Sequence, residues 1–356
     1  MKNTVITGSG SFIPEVEVEN NQFIENPFCM NDGSQIQNNN QEVIEKFEEI
    51  TGIQARRYVN DNQSCSHIAT ISAQRAIESA GINPEELDMI IVAHNFGDVI
   101  KGSNQTDIVP SIASRVKHDL KIENQFCIPY DIIFGCPGWI QGLIQAHIHI
   151  QAGEAKKCLV IGSEVLSRVV DPFDRDTMIF ADGSGAVVLE GKEETEKRGI
   201  LSYAAVSHTL NEKDFLYVGE SFNKFGTDAT KFIKMNGHKI YSYALNEVPK
   251  AMKYCLDKIN LPLERINKIL IHQANEKMDI AIVKRLYRAF GIKEVPENIM
   301  PMIIERLGNS SVATVPTLYD MIKKGLLPKH QINDGDKFVL ASVGAGMNIN
   351  CIAYQA

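Results

Sequence analysis

Short apolar runs alternate with helix-like segments along most of the 356-residue chain, and this alternation constrains the fold more than any other feature. Residues 88–94 form a compact apolar run that is typical of a buried strand. Before that run, apolar residues in 68–80 recur near helical spacing, and Gly81 is a common type of helix stop. Strands that alternate with helices predict an α/β fold with mixed or parallel sheets.

The clearest strand–helix–strand unit surrounds Cys136. Apolar residues near 126–133 predict a strand, and the sequence Gly-Cys-Pro-Gly at 135–138 predicts a tight turn. A helix follows to about Ala152, and a second strand is predicted at 158–162. This unit places Cys136 at the carboxyl edge of the first strand and at the start of the helix.

A similar order of elements returns in the second part of the chain. Strands are predicted at 200–206, 268–272 and 337–342, and helices near 241–259 and 275–290. The charged stretch 190–198 favours an exposed connection between the two series. We therefore expect two halves, spanning residues 1–192 and 193–356. Residues 29–42 are rich in Asn and Gln and predict a surface insertion.

The charge balance excludes several kinds of partner. The formal net charge of -8 argues against general binding to nucleic acid or to anionic membranes, which requires a basic surface. No apolar run approaches the roughly 18 residues of a membrane-spanning helix, and the N-terminus lacks the apolar core of a signal peptide. These features predict a cytoplasmic protein. Its seven cysteines contain no CxxC pair, so neither a disulfide framework nor a metal site is expected.

Cys136 is the first candidate for chemistry. At the start of a helix its sulfur faces unpaired N–H groups and the positive end of the helix dipole, both of which favour thiolate over thiol. Its own N–H group is available to an oxyanion. The alternative, that Cys136 is only a small buried residue in a turn, has equal weight on the local pattern alone.

Three further sites lie at predicted element edges. His272 ends an apolar strand, although a hydrogen-bonded core histidine is the commoner explanation of such a residue. Asn309 could serve only as a turn or N-cap residue, and the loop Gly344-Ala-Gly-Met347 could be only a tight turn. Together, a thiol, an imidazole, a carboxamide and a loop rich in N–H groups indicate acyl-thioester chemistry.

These residues belong to a longer series of motifs. The sequence resembles the thiolase-fold condensing enzymes, and most closely the ketoacyl-ACP synthase III family. The resemblance extends over nearly the whole chain and rests on residues 6–14, 51–53, 135–138, 162–168, 171–176, 180–186, 272–275, 308–311 and 344–346. It implies a five-layered αβαβα fold made of two similar halves, the first carrying the nucleophilic cysteine and the second the histidine and asparagine. It also implies a homodimer.

The family resemblance assigns roles residue by residue. It implies a catalytic set of Cys136, His272 and Asn309, with an oxyanion site formed by the backbone N–H groups of Cys136 and Ala345. The implied reaction begins with acylation of the cysteine by a donor thioester. A malonyl or 3-oxoacyl thioester then supplies the nucleophile, in fatty-acid or specialised lipid and polyketide biosynthesis. CoA or phosphopantetheine thioesters are substrates, and no cofactor is bound permanently.

The sequence also departs from the family pattern. Lys46 replaces a tryptophan that stacks on the CoA adenine in housekeeping members, and Ile50 replaces a nearby arginine, whereas Arg175 matches a nucleotide-contacting arginine. We expect residues 29–42 to contribute to a rebuilt tunnel entrance. These changes, with the segment from His94 to Pro110, indicate a specialised branch similar to enzymes of dialkylresorcinol or polyene-type lipids.

Two close relatives of this chemistry are disfavoured. A degradative thiolase needs a second cysteine in its C-terminal loop, and the nearest candidate, Cys351, is expected to be structural. No residue beside Cys136 in the sequence suggests the acidic partner of hydroxymethylglutaryl-CoA synthase. Decarboxylating condensation is therefore the leading hypothesis. The alternatives are acyl transfer to a non-malonyl nucleophile without decarboxylation, and a noncatalytic partner subunit of a heterodimeric synthase.

A short basic segment qualifies the acidic balance of the chain. Between 277 and 293 five basic residues outnumber the single acid, Asp279. The resemblance implies that Lys277, Lys284 and Arg285 dock an acidic acyl carrier protein. A solvated helix face is the alternative explanation of such a charge run.

Overall fold

Two β-sheets form the framework of the protein. The computed structural model describes residues 2–226 and 229–356. The first sheet has the order β1-β9-β8-β4-β7, and the second the order β10-β15-β14-β13. The strands of the first sheet are β1 (Lys2–Phe12), β4 (Met89–Ala93), β7 (Ile128–Ile132), β8 (Lys157–Val165) and β9 (Asp182–Glu193). Those of the second are β10 (Gly199–Ser207), β13 (Lys268–Ile271), β14 (Lys337–Gly344) and β15 (Asn348–Gln355).

Helices cover both faces of each sheet. They are α1 (Asn40–Thr51), α2 (Cys65–Ala80), α3 (Ile112–Asp119), α4 (Gly138–Ala152), α5 (Gly237–Asp257), α6 (Glu276–Ala289), α7 (Ile304–Leu307) and α8 (Thr314–Lys323). Helices α2 and α3 pack on the outer face of the first sheet, and α5 and α6 on the outer face of the second. Helices α4 and α8 lie between the sheets, which gives the five layers αβαβα.

The central layer belongs to both sheets. Its apolar cluster combines Trp139 of α4 and Leu318 of α8 with Val160 of the first sheet and Leu340 of the second. In β8, Cys158 and Val160 face this cluster, while Leu159 and Ile161 face the outer helices. A strand that is covered on both faces needs an apolar residue at every position, which explains the continuous apolar runs in the sequence.

In the part of the chain that the structure describes, three small two-stranded sheets complete the fold. They pair β2 (Val16–Glu19) with β3 (Ala55–Tyr58), β5 (Asp98–Val99) with β6 (Thr106–Asp107), and β11 (Leu216–Glu220) with β12 (Lys231–Met235). The β11–β12 pair is antiparallel, from Leu216 opposite Met235 to Glu220 opposite Lys231. It lies beside the functional cavity described below.

The structure confirms the predicted fold class. The strand–turn–helix–strand unit around Cys136 is present as β7, α4 and β8. Helix α5 begins at Gly237, a turn earlier than predicted, because Asn236 caps it by accepting a hydrogen bond from the Lys239 N–H group. All strands of the first sheet end by Glu193 and those of the second begin at Gly199, so we keep residues 1–192 and 193–356 as proposed halves.

Residues 29–42 lie mainly at the surface, as predicted. The segment is held at its start by a hydrogen bond of 2.7 Å from the Cys29 N–H group to the Phe173 carbonyl. None of its residues is among the described residues that line the functional cavity, so its contribution to a rebuilt tunnel entrance stays a prediction. Across the described residues, no helix combines the length and apolar character needed to cross a membrane.

Candidate active site

Cys136 lies between β7 and α4, at the edge of the first sheet that faces the second half of the chain. The turn before it requires Gly135, whose φ is 67° and where a Cβ atom would lie 2.7 Å from the Ala345 nitrogen. Pro137 is the N-cap of α4 and offers the helix no side-chain cap. The first N–H groups of α4 are therefore left without a side-chain acceptor near the sulfur.

The electrostatic surroundings of Cys136 differ from the expectation. Burial raises the pKa of its thiol to about 11, and the nearby Glu164 carboxylate adds to the rise. A hydrogen bond of 3.2 Å from the Ser311 hydroxyl to the sulfur opposes it. Burial of the thiol outweighs the effect of the helix N-terminus, so the resting residue is a thiol. The helix start, which was expected to favour the thiolate, is thus outweighed by burial, and the acid near Cys136 is Glu164, which is distant from it in sequence.

His272 directly follows β13 and continues its pairing with β14. Its N–H group donates to the Ala341 carbonyl at 2.8 Å, and its side chain is 3% exposed. Burial lowers the pKa of His272 to about 4, while a hydrogen bond with the Ser311 backbone opposes the shift. The Nδ1 atom has no partner among the described residues. At neutral pH the ring is uncharged and carries one N–H donor.

Asn309 joins the second half of the chain to the first. Its backbone N–H donates to the Ile179 carbonyl at 2.9 Å, and its carbonyl accepts from the Ala181 N–H at 2.8 Å. Its side-chain Oδ1 accepts a hydrogen bond of 2.8 Å from the Ser311 N–H group. Asn309 therefore has the local turn role considered from the sequence. This role uses the oxygen of its side-chain amide, and the NH₂ group remains as a hydrogen-bond donor.

The glycine-rich loop after β14 packs against the turn that holds Cys136. A Cβ atom at Gly344 would lie 2.5 Å from the Cys136 nitrogen, so only glycine permits this approach of the two backbones. Gly344 and Ala345 line the same cavity as Cys136. Cys351, by contrast, is fully buried in β15 and lies against the outer helices.

One cavity joins these residues. It encloses about 310 Å³ and is lined by Cys136, His272, Asn309 and Ala345 at its polar end. Its remaining wall is mainly apolar and comes largely from β11, β12 and the start of α5. The main apolar side chains are Phe96, Leu166, Phe180, Leu216, Tyr217, Val218, Ile233, Met235, Ile240 and Met278. A reactive polar end and a long apolar wall suit an acyl thioester.

The sequence reasoning missed three polar residues beside Cys136. Ser311 contacts the sulfur, Asn95 donates to the Ser311 hydroxyl at 3.1 Å, and Asn95 also donates to the buried Glu164 carboxyl. Each lies in a segment already singled out: residues 308–311, 94–110 and 162–168. The residues are far apart in sequence, so only the fold shows that they meet.

The predicted binding residues lie outside the cavity wall. Arg175 is exposed and begins the short turn whose last residue, Ile179, lines the cavity. Lys277, Lys284 and Arg285 are exposed on α6. Lys277 lies between Asn275 and Met278, which both line the cavity, so this helix face begins at the rim. Lys46 and Ile50 are exposed on α1. Among the described residues, no group of three or more potential ligands is placed to hold a metal ion.

Comparisons with known proteins agree with this architecture. Residues 130–209 match the family model of 3-oxoacyl-[acyl-carrier-protein (ACP)] synthase III, and residues 256–356 match the model of its C-terminal part. The beta-ketoacyl-[acyl-carrier-protein] synthase III of Clostridium acetobutylicum is 33% identical over 354 residues, covering 98% of this chain and 97% of that protein.

Solved structures share the fold over the whole chain. The 3-oxoacyl-[acyl-carrier-protein] synthase III of Aquifex aeolicus is 28% identical, with a TM-score of 0.79 and coverage of 99% of this chain and 100% of that one. The priming beta-ketosynthase of the R1128 polyketide pathway has a TM-score of 0.80 at 22% identity, covers 99% of this chain and 96% of that one, and supports the fold alone. The chain belongs to the 3-oxoacyl-[acyl-carrier-protein] synthase III family of condensing acyltransferases.

Proposed function

We propose that this protein catalyses a decarboxylating Claisen condensation on an acyl group carried by Cys136. The observation that carries the proposal is the single cavity that Cys136, His272 and Asn309 line at its polar end. A nucleophile and two hydrogen-bond donors at the end of an apolar pocket are the groups that this chemistry requires. The extender is a malonyl thioester, since a 3-oxoacyl thioester carries no carboxylate to lose and would need a base to remove its α-proton.

Acylation is the first step. The Cys136 sulfur attacks the carbonyl carbon of the donor thioester, a new C–S bond forms, and the donor C–S bond breaks. The proton of the thiol leaves with the departing donor thiol. The N–H groups of Cys136 and Ala345 stabilise the oxyanion, a role supported by the close packing of their two turns.

Condensation is the second step. The malonyl C–C bond breaks as CO₂ departs, and its electron pair forms an enolate on the extender thioester. His272 and Asn309 donate hydrogen bonds to the enolate oxygen, which suits a neutral imidazole with one N–H group. The enolate carbon then attacks the acyl carbonyl, and Cys136 leaves as the thiolate and regains a proton. The product is a 3-oxoacyl thioester.

The donor is an acyl chain longer than acetyl, carried as a CoA or phosphopantetheine thioester. The apolar wall of the cavity, which encloses about 310 Å³, supports this size of acyl group. The chemistry needs no permanently bound cofactor. The seven free cysteines support a reaction in the reducing cytoplasm.

Helix α6 is the proposed docking surface for an acidic acyl carrier protein. Lys277, Lys284 and Arg285 are exposed, and the helix starts at the cavity rim. The Arg285 guanidinium donates to the Leu245 carbonyl at 3.2 Å, which holds it against α5. Lys277 lies 3.8 Å from the exposed Glu49, a weak pair that a carrier protein can replace. Arg175 is the proposed contact for the nucleotide when the donor is CoA.

A homodimer formed through β7 is the proposed assembly. Among the described strands, β7 is an edge strand that pairs only with β4. Phe126 and Ile128 at this edge are 77% and 51% exposed, and Ile133 is 62% exposed. An open edge strand with exposed apolar side chains is a surface that a second copy can cover.

Mass spectrometry of the acyl-enzyme tests the function. The protein is incubated with acyl thioesters of increasing chain length, then with malonyl thioester, while CO₂ is measured. We expect an acyl mass on Cys136, followed by CO₂ release and a 3-oxoacyl product. Acylation without CO₂ release would instead indicate transfer to another nucleophile. Absence of an adduct with every chain length would indicate a noncatalytic partner subunit.

A further inference from the structure

Ser311 contacts all three residues of the proposed catalytic set. Its hydroxyl lies 3.2 Å from the Cys136 sulfur, and its N–H group donates to Asn309 Oδ1 at 2.8 Å. Its backbone also forms a hydrogen bond with His272. Removal of the side chain by substitution would leave the contacts with Asn309 and His272 in place, because these two contacts use the backbone.

The backbone of Ser311 is held in an unfavourable conformation. Its φ is 52°, in the left-handed region, and the residue is 4% exposed. A residue other than glycine in this region is uncommon, and such residues persist where the surrounding structure fixes them, often at functional sites. This conformation presents the hydroxyl to Cys136 while the N–H group reaches Asn309.

The hydrogen bonds around Ser311 have a fixed direction. The Asn95 amide NH₂ group donates one hydrogen to the Ser311 Oγ at 3.1 Å and the other to Glu164 Oε1. An amide nitrogen donates and does not accept, so Ser311 Oγ is the acceptor in its contact with Asn95. The single hydroxyl proton of Ser311 is then free to point at the sulfur.

Glu164 holds the far end of this chain of contacts. Its side chain is 1% exposed in β8, and its Oε2 atom has no partner among the described residues. Burial raises the pKa of Glu164 to about 8. The titratable groups that interact with it are Cys65 in α2, Cys136 before α4 and Asp182 in β9. None of these neighbours is a basic side chain. The role of Glu164 is therefore to accept the hydrogen bond from Asn95.

We propose that Ser311 donates a hydrogen bond to the Cys136 sulfur during acyl transfer, and that Asn95, held by Glu164, is the positioning residue that aims this proton. The inference rests on the proposed acylation of Cys136. Negative charge gathers on the sulfur as it attacks the donor and again as it leaves the condensed product. The Ser311 proton stays on its oxygen throughout, so the contact stabilises charge without transferring a proton.

Alkylation of Cys136 by iodoacetamide tests the role of Ser311 without any acyl substrate. The rate is measured from pH 6 to pH 10 in the wild type, in Ser311→Ala and in the matched control Ser310→Ala. The Ser310 hydroxyl contacts Thr314 at 3.3 Å. Hydrogen bonds to charged groups contribute about 1.5–3 kcal/mol, so Ser311→Ala is expected to slow alkylation about 10- to 100-fold. Because the wild-type pKa of about 11 lies above this range, the slowing should appear at every pH measured, whereas Ser310→Ala should match the wild type.

Asn95→Leu tests the positioning role. It removes the NH₂ donor at similar size and leaves the Ser311 hydroxyl in place. We expect slower alkylation in this variant and no additional slowing when it is combined with Ser311→Ala, because both changes remove the same contact. Malonyl decarboxylation by His272 and Asn309 is measured in each variant as the check that the cavity remains folded.

Each result then has a definite meaning. Wild-type alkylation in Ser311→Ala at every pH would overturn the role of the hydroxyl. Equal slowing by Asn95→Leu with and without Ser311 would overturn the positioning role, because the effect would then not pass through the hydroxyl. If the wild type forms no acyl-enzyme although its alkylation depends on both residues, the proposed function fails and the assignment of the contact stands.

Discussion

At the scale of single residues, the site combines a buried thiol with an uncharged imidazole. Burial raises the pKa of Cys136 to about 11 and lowers the pKa of His272 to about 4. Both groups are therefore neutral at rest, and the cavity contains no standing ion pair between them. Charge develops only when substrate arrives, where hydrogen-bond donors in a dry site have their greatest effect.

Removal of either donor to the extender should affect decarboxylation more than acylation. We expect His272→Ala and Asn309→Ala to lower the rate of malonyl decarboxylation by about 10²–10³, the usual cost of one lost oxyanion donor. CO₂ release from malonyl thioester measures this rate. Cys136→Ala is the control, because it removes acylation and leaves both donors in place. A wild-type rate of decarboxylation in Asn309→Ala would contradict the assigned role.

Glu164 should make stability depend on pH. Its pKa is about 8 in the folded protein against an ordinary value of 4.5. Between these values the unfolded chain has lost the proton and the folded chain keeps it. The contribution of Glu164 to the free energy of unfolding is therefore fully present below about pH 4.5, and it is lost as the pH rises towards 8.

Glu164→Gln should flatten this dependence, because the amide does not titrate. Thermal unfolding from pH 5 to pH 8 measures the change in Tm. Asp182, whose pKa burial raises to about 6, remains in the variant, so the slope should become smaller without disappearing. The exposed Glu25→Gln is the control and should leave the slope of the wild type. An unchanged slope in Glu164→Gln would show that this carboxyl does not titrate in the window.

At the scale of elements, the β11–β12 hairpin forms much of the apolar wall, and one buried lysine ties it to the first half. Lys234 Nζ lies 2.5 Å from Asp171 Oδ2 and 2.9 Å from Asp174 Oδ2, and 3.5 Å from the centre of the Phe222 ring. The lysine side chain is 1% exposed. These ion pairs join the hairpin to the segment that leads to the cavity residues Ile179 and Phe180.

Lys234→Met should destabilise the protein strongly, because it leaves two buried carboxylates without their cation. A broken buried pair typically costs about 3–5 kcal/mol in the free energy of unfolding, which denaturant titration measures. Lys231→Met is the matched control on the same strand, since its exposed pair with Glu220 contributes about 1 kcal/mol or less. Equal stability of the two variants would show that the hairpin is held by other contacts.

Some elements of the fold could be predicted from the sequence and others could not. The turn at Cys136 was predictable, because glycine and proline have strong local preferences and apolar runs bracket them. The β11–β12 hairpin was not predicted, because its half-exposed strands alternate weakly and their role depends on the cavity behind them. The Asn95–Ser311 contact spans 216 residues, so no local pattern records it. Likewise, the position of Cys136 at a helix start favoured the thiolate, but burial in the folded protein raises the pKa of the thiol and favours the neutral form.

At the scale of the whole molecule, α6 offers local basic charge on an acidic protein. Lys284→Glu combined with Arg285→Glu should raise the KM for acyl carrier protein about tenfold or more, as expected when about 1.4 kcal/mol of binding is lost. The KM for a small acyl thioester should stay near that of the wild type. Steady-state kinetics with both donors measures the difference.

The control for this prediction is the double variant Lys121→Glu and Lys156→Glu. It makes the same change in net charge. These exposed residues precede β7 and β8, whereas Cys136 follows β7, so they lie at the opposite ends of the strands. It should leave both KM values near those of the wild type. If the two double variants raise the KM equally, overall charge and not the α6 face governs binding.

The proposed dimer gives a second prediction at this scale. Phe126→Asp combined with Ile128→Lys places charges on the open edge of the first sheet and should convert a dimer to a monomer. Sedimentation velocity measures the molecular mass in solution. Leu210→Lys is the control, because this residue is 90% exposed and lies in the other half, after β10. A wild-type protein that sediments as a monomer would contradict the dimer itself.

The position of Trp139 in the central layer makes the protein report on its own folding. It is the single tryptophan of the chain, lies three residues after Cys136, and packs in the cluster shared by the two sheets. Its Nε1 donates to the Val160 carbonyl at 3.2 Å. During refolding, its fluorescence will therefore change when the sheets close over α4. Cys136 follows a strand of the first sheet and His272 a strand of the second, so enzymatic activity should return no earlier than that signal.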